Sequence, residues 1–114
     1  MSASTVAAVS ALIHAHRQFI PLLDAHLVDN DGEILPHLVM ADVVRWLVEH
    51  YDTDRETCRS VLEWLEAEYE RGSADVRGLI VVSGVEMIPD PGMPGAELRD
   101  MLGPALREVD PWQT

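Results

Sequence analysis

The chain has 114 residues, of which 47% are hydrophobic, and its 20 acidic residues face eight arginines and no lysine for a formal net charge of −12. Such an acidic surface repels phosphate groups, so we expect no direct binding of nucleic acid. The length predicts one domain. We also expect a cytoplasmic protein outside the membrane, because Cys58 is the single cysteine, no signal peptide is recognisable and no apolar run approaches the roughly 20 residues of a membrane span.

The first two predicted elements are short helices. Ser4 or Thr5 is expected to cap a helix that reaches about Arg17, since hydroxyl side chains accept from free amides at a helix start. A second helix then runs from about Phe19 to Leu27. Proline is tolerated in its first turn, where the missing amide would have no partner.

A turn and the most apolar helix follow. Asp29-Asn-Asp-Gly32 predicts a turn, because Asn and Gly accept left-handed backbone conformations. The third helix is predicted from Pro36 to about Tyr51. Its apolar residues cover more than one face, so we expect it to be central.

The fourth helix has the strongest pattern. Thr53 and Glu56 have the spacing of a capping box, in which each side chain accepts from the other's backbone amide. Helical periodicity is kept by an apolar stripe that consists of Cys58, Val61, Leu62, Leu65 and Tyr69. Gly72 is expected to end the helix in a left-handed conformation.

Residues 73–88 have two interpretations. Leu79-Ile-Val-Val82 is typical of a buried strand, yet Ser73 and Asp75 suit a helix start. A lone strand would lack a partner, because no second strand pattern exists elsewhere. We therefore predict a helix.

The C-terminal third is predicted to be loop and short helices. Residues 89–95 are rich in proline and glycine and predict a loop. Short helices are expected at 96–102 and 104–109. The fold class is therefore all-α: a compact bundle of five to six helices with helix-hairpin, solenoid-like packing, in a single domain 1–114 with frayed tails at 1–3 and 111–114. The third and fifth helices should be central.

No catalytic, cofactor-binding or metal-ligating residue is predicted. His14 and His16 lie two residues apart and would point to different sides of a helix, and no HExxH or CxxC motif accompanies them. Cys58 lies on the apolar stripe, where a thiol behaves as a small unreactive hydrophobe.

One alternative is an enzyme or small-ligand binder with a polar pocket formed by His37, Asp42, Arg45 and Arg77. Against it, Asp42, Arg45 and Glu49 follow helical spacing and are more typical of a salt-bridged stripe.

Two acidic groups form a candidate surface for a basic protein partner. The first lies in the turn before the third helix and consists of Asp29, Asp31 and Glu33. The second lies around the fourth helix, where three glutamates are predicted to line one solvent face, and consists of Asp52, Asp54, Glu63, Glu66 and Glu70, with Trp64 as an anchor. Charge runs are usually only solvated, but −12 exceeds the roughly 2–8 charges that solubility needs in a small domain.

Four segments carry a family resemblance: Gly32-Glu-Ile-Leu-Pro-His37, Ala41-Asp-Val-Val-Arg-Trp46, Asp75-Val-Arg-Gly-Leu-Ile80 and Gly95-Ala-Glu-Leu-Arg99. With them the chain resembles a family of small, acidic, all-helical bacterial proteins that are uncharacterised. The resemblance spans about residues 10–109, implies helix rather than strand at 74–88, and suggests an immunity or accessory protein encoded beside a toxin. It carries no functional residues. A structural homodimer through the third helix and Trp64 is a further alternative.

Overall fold

Six α-helices and three short 3₁₀ helices make up the protein, with no strand among residues 2–112, which a computed structural model describes. The α-helices are α1 (Ala3–Ala15), α2 (Ile20–Asp29), α3 (Pro36–His50), α4 (Arg55–Arg71), α5 (Ala74–Ser83) and α6 (Pro104–Val109). The 3₁₀ helices are Arg17–Phe19, Val85–Met87 and Ala96–Met101. The predicted all-α fold is confirmed.

The two central helices are α3 and α5, which pack against each other more extensively than any other pair of α-helices. α3 buries apolar side chains on more than one side, namely Val39, Met40, Val43, Val44 and Leu47. α1 and α4 both contact this pair, and α6 covers α4. The expectation that the third and fifth helices are central is correct.

Two helix starts differ from the prediction by one to three residues. Ser2, rather than Ser4 or Thr5, caps α1 by accepting from the amide of Thr5 at 3.3 Å. Asp54, rather than Thr53, caps α4 by accepting from the amide of Thr57 at 3.2 Å. A carboxylate there is the better acceptor, because its charge also favours the positive end of the helix dipole.

The prediction for the end of α4 was wrong, whereas the prediction for the segment that follows it was correct. Gly72 is extended, with φ −77° and ψ 161°, rather than left-handed. A Cβ at this position would lie 2.7 Å from the carbonyl oxygen of Glu68, so close backbone approach requires glycine. Ser73 then caps α5 by accepting from the amide of Val76, and residues 74–83 are helical as predicted.

The C-terminal segment is held by a buried ion pair. Arg99 Nε lies 3.1 Å from an Asp110 carboxylate oxygen, and both side chains are almost fully buried. The same guanidinium donates to the carbonyl oxygens of Ile88 and Pro89, which fixes the predicted loop 89–95 against the bundle. Trp112 remains half-exposed and does not dock.

Of the predicted frayed tails, Met1, Gln113 and Thr114 lie outside the described residues, while Ala3 is already part of α1. Within residues 2–112, no single helix has the length and apolar character to cross a membrane. Only α1 together with residues 17–29 meets that test, as a pair bent by 110°.

Candidate functional site

Most arginine side chains form hydrogen bonds or ion pairs with other groups of the protein itself. Three donate to backbone carbonyl oxygens: Arg77 to Tyr69 and Glu70, Arg99 to Ile88 and Pro89, and Arg107 to Leu102 and Asp100. Arg45, Arg55 and Arg71 each pair with a carboxylate three residues earlier in the chain. In the described part of the chain, only the side chains of Arg17 and Arg59 make no hydrogen bond or ion pair.

Most carboxylates, in contrast, are free. Six of the twenty accept a hydrogen bond or form an ion pair within the described residues: Asp42, Asp52, Asp54, Glu66, Glu68 and Asp110. The other fourteen are all exposed and have no such partner between residues 2 and 112. The excess negative charge is therefore a property of the solvent-facing surface rather than of the interior.

The predicted acidic face on α4 is only partly present. Glu63 and Glu70 are exposed, but Glu66 is partly buried and points to another helix. Its two carboxylate oxygens accept from the amides of Ala105 and Leu106 at 2.8 and 3.0 Å. Glu66 therefore caps α6, and its placement on a solvent face was wrong.

The remaining residues of the two predicted acidic groups differ in their surroundings. Asp54 is occupied as the cap of α4, and Asp52 lies 3.8 Å from Arg55. Trp64 is partly buried against the core rather than presented as an anchor. Asp31 and Glu33 are exposed in the turn after α2, where Asp31 has a left-handed φ of 54°.

One of two concave surfaces lined by free carboxylates lies between α2 and α3. This α2–α3 groove has a volume of about 410 Å³ and is lined by Leu22, Ala25, His26, Asp29, Asn30, Leu38, Asp42, Arg45, Trp46 and Glu49. Its α2 members are spaced i, i+3, i+4 and i+7, so they form one stripe along that helix. Asp29 comes from one predicted set and Asp42 and Arg45 from the other, and the fold brings them together.

Partly buried hydrogen bonds hold the turn that closes the groove at one end. The backbone amide of Leu35 donates to His26 Nε2 at 3.0 Å, and the side-chain amide of Asn30 donates to the carbonyl oxygen of His26 at 2.8 Å. His26 therefore ties the start of α3 to the end of α2.

Aromatic packing supports the groove's other end. Trp46 meets Phe19 edge to face, with ring centroids 5.0 Å apart, and stacks on His50 at 4.0 Å. Such contacts limit the rotamers that Trp46 can adopt. The groove is thus a preformed feature between two fixed helices.

A second hollow of about 460 Å³ adjoins the groove at Leu38, which lines both. This His37 hollow is lined by Ser2, Thr5, Leu35, Pro36, His37, Leu38 and Asp75. His37 Nδ1 forms a 2.6 Å hydrogen bond with Ser83 Oγ, which links α3 to α5. Among the described residues no carboxylate bonds to His37, and Ser83 is buried, so the pair lacks the orienting acid and the accessible hydroxyl of a hydrolase triad.

The alternative polar pocket does not form. His37 lines one hollow, and Asp42 and Arg45 pair with each other in the groove. Arg77 lies on α5 and lines neither, and its side chain donates to carbonyl oxygens at the end of α4. The Arg77 guanidinium also covers the ring of Tyr69, 5.4 Å from its centroid. Of the expected salt-bridged stripe, the Asp42–Arg45 ion pair is present, with Arg45 Nη1 2.5 Å from Asp42 Oδ1.

Cys58 is fully buried, and its thiol donates to the carbonyl oxygen of Leu47 at 3.5 Å. Burial, and then the negative charge of Asp54, raise the pKa of Cys58 to about 11. The thiolate that redox or nucleophilic chemistry needs is therefore scarce near neutral pH. No cluster of three or more His, Cys, Asp or Glu side chains suited to a metal ion occurs in residues 2–112.

One family model matches residues 9–110, nearly the whole chain, and describes a domain of unknown function, DUF7674. The chain belongs to this family. No curated protein and no solved structure matches the chain. Membership confirms the expected resemblance to an uncharacterised domain family and assigns no activity.

The groove's lining was only partly visible in the sequence. Glu49 and Arg45 were recognised as one stripe of α3, but Leu22, Ala25 and Leu38 were not recognised as its floor. The spacing of Leu22, Ala25, His26 and Asp29 was an available signal for a second stripe. What the sequence did not show is that these two stripes face each other.

Proposed function

We propose that this protein is a non-enzymatic, acidic binding module that recognises a cationic protein partner, as an immunity-type or regulatory protein does. The supporting observation is that most carboxylates have no hydrogen-bond or ion-pair partner among the described residues, whereas most arginine side chains bond to other groups of the protein. An acidic surface without local counter-charges attracts a basic partner and speeds its association.

The free charge carries a cost in the isolated protein. Like charges on one surface repel, and neighbouring carboxylates on a helix face cost a few tenths of a kcal/mol per pair. Asp29, Asp31 and Glu33 lie within five residues in one turn, and all three are exposed. A basic partner would relieve this repulsion, and dissolved salt would weaken the attraction, because charges are screened beyond about 8 Å at physiological ionic strength.

The test is affinity purification with the immobilised protein from its own organism, in low-salt and high-salt buffer. We expect a specific partner with a basic isoelectric point that is retained at low salt and released at high salt. An unrelated protein of similar net charge, immobilised in parallel, removes proteins that bind by simple ion exchange. The proposal fails if no specific partner is recovered in either buffer, or if the specific partner is acidic and indifferent to salt.

A further inference from the structure

We propose that the α2–α3 groove is the recognition site, and that it binds an extended basic segment with two basic residues four positions apart. One basic side chain pairs with Asp29 and the other with Glu49, while an apolar residue between them contacts the groove floor. This inference rests on the proposed function and specifies which surface and which partner chemistry carry it.

The positions of the two carboxylates set the spacing. Asp29 is the last residue of α2 and lies at the turn, whereas Glu49 lies near the far end of α3. The lined part of α2 covers eight residues, a rise of about 10 Å, and the lined part of α3 covers twelve, a rise of about 16 Å. In an extended peptide, residues i and i+4 are about 13 Å apart and share one face.

The charges in the groove leave these two carboxylates available. Asp29 and Glu49 are both exposed and have no hydrogen-bond or ion-pair partner in the described chain. The remaining cation of the groove, Arg45, is paired with Asp42 at 2.5 Å. That pair offsets the local charge midway along α3, so the net negative charge lies toward the two ends of the groove.

The floor between the ends suits an apolar side chain. It includes Leu22, Ala25, Leu38 and Trp46. Leu38 is half-exposed, although six other residues of α3 are buried in the core. On an extended segment, residue i+2 points to the same side as i and i+4, so a central apolar residue contacts this floor.

The test compares two synthetic peptides of identical composition by chemical-shift titration of the isotope-labelled protein. The first is Arg-Ala-Leu-Ala-Arg, with blocked termini, and the second is its isomer Arg-Arg-Ala-Ala-Leu. Both carry the same charge, so bulk electrostatic attraction acts equally on them. We expect the first to bind roughly twofold to fivefold more tightly, since the isomer can form only one of the two exposed ion pairs, and to shift resonances of residues that line the groove.

Matched protein variants locate the site. Asp29→Asn with Glu49→Gln removes two charges from the groove, and Glu63→Gln with Glu70→Gln removes two charges, which are also exposed, from α4. We expect the groove variant to lose the preference for the first peptide and the α4 variant to keep it. All four positions are exposed, so both variants should retain the dispersed spectrum of the folded protein.

Four results would overturn the inference: equal affinity for the two isomers, a preference that the groove variant keeps, loss of the preference in the α4 variant, or no shift of groove resonances with either peptide. These outcomes are separable from failure of the proposed function. If the affinity-purified partner binds wild-type protein and the groove variant equally well, the cationic partner stands and only the groove assignment falls.

Discussion

Replacing Glu66 is expected to loosen the C-terminal part of the bundle without touching the candidate groove. The N-cap of α6 is Gly103, which has no side chain to accept from the free amides. Glu66 of α4 supplies that acceptor from 39 residues away, with one oxygen on Ala105 and the other on Leu106. Glu66→Ala therefore leaves both amides without a protein partner.

The expected magnitude follows from the two bonds. A hydrogen bond to a charged group contributes about 1.5–3 kcal/mol. Glu66 is partly exposed, so water replaces some of this in the variant. We expect Glu66→Ala to lower the free energy of unfolding by about 2–3 kcal/mol, and Glu66→Gln by about half as much, because its amide keeps one acceptor oxygen.

Gly103 provides an independent check on the same contact. Its backbone is extended, with φ −76° and ψ 177°, so alanine is tolerated conformationally. However, a Cβ there would lie 2.5 Å from Glu66 Cδ and 2.8 Å from Oε1, which would displace the carboxylate. We expect Gly103→Ala to cost about 2 kcal/mol in the wild type and much less in the Glu66→Ala background, with a coupling of about 1–2 kcal/mol.

The assay is urea unfolding followed by far-ultraviolet circular dichroism for the wild type, both single variants and the double variant. Glu63→Ala, on the same helix but exposed, is the control and should change stability by less than about 0.5 kcal/mol. Additive effects of the Glu66 and Gly103 changes, or a Glu66→Ala effect as small as the control, would refute the capping role.

Three further changes test other contacts by chemical unfolding. Burial raises the pKa of Cys58 from 9.0 to about 11, so the stabilisation by the neutral buried thiol is complete below pH 9 and is lost as the pH rises through 11. Over that range the free energy of unfolding of the wild type should fall by about 2 kcal/mol relative to Cys58→Ala. Parallel pH profiles of the two proteins would argue against this. Arg99→Met removes the buried ion pair with Asp110 and should cost about 3–5 kcal/mol; a loss below about 1 kcal/mol would contradict this. Gly95→Ala should cost about 2–3 kcal/mol, since φ is +94° and a Cβ would lie 2.6 Å from Val48 Cγ1, and unchanged stability would count against that geometry.

Local patterns predicted the helices well, because an α-helix is built from bonds between residues four apart. The apolar spacing of α3 and α4 and the cap at Ser73 gave bounds close to those observed. The absence of a partner strand resolved residues 79–82 as helix. The errors at the start of α4 arose because Thr53 and Asp54 are adjacent and both suitable caps, so the cap position depended on which backbone conformation the packed chain adopts.

The candidate site was less predictable, since its residues meet only in three dimensions. Glu66 has the same helical spacing as Glu63 and Glu70, and periodicity alone placed all three on one solvent face. The bond from Glu66 to α6 spans 39 residues and leaves no periodic trace. Likewise, Arg77 was predicted to line a pocket, although its side chain donates to a backbone carbonyl oxygen at the end of α4.

By itself the sequence determined an acidic, all-α domain with nearly correct helix bounds, because charge and helical periodicity are properties of composition and short spacing. Only the tertiary structure decided which groups from other segments the charged side chains meet. It directs Glu66 to α6 and Arg99 to the buried Asp110, and it sets the stripes of α2 and α3 face to face. The physical reason is that a free charge is defined by what lies within a few ångströms of it, and that neighbourhood is set by packing between distant segments.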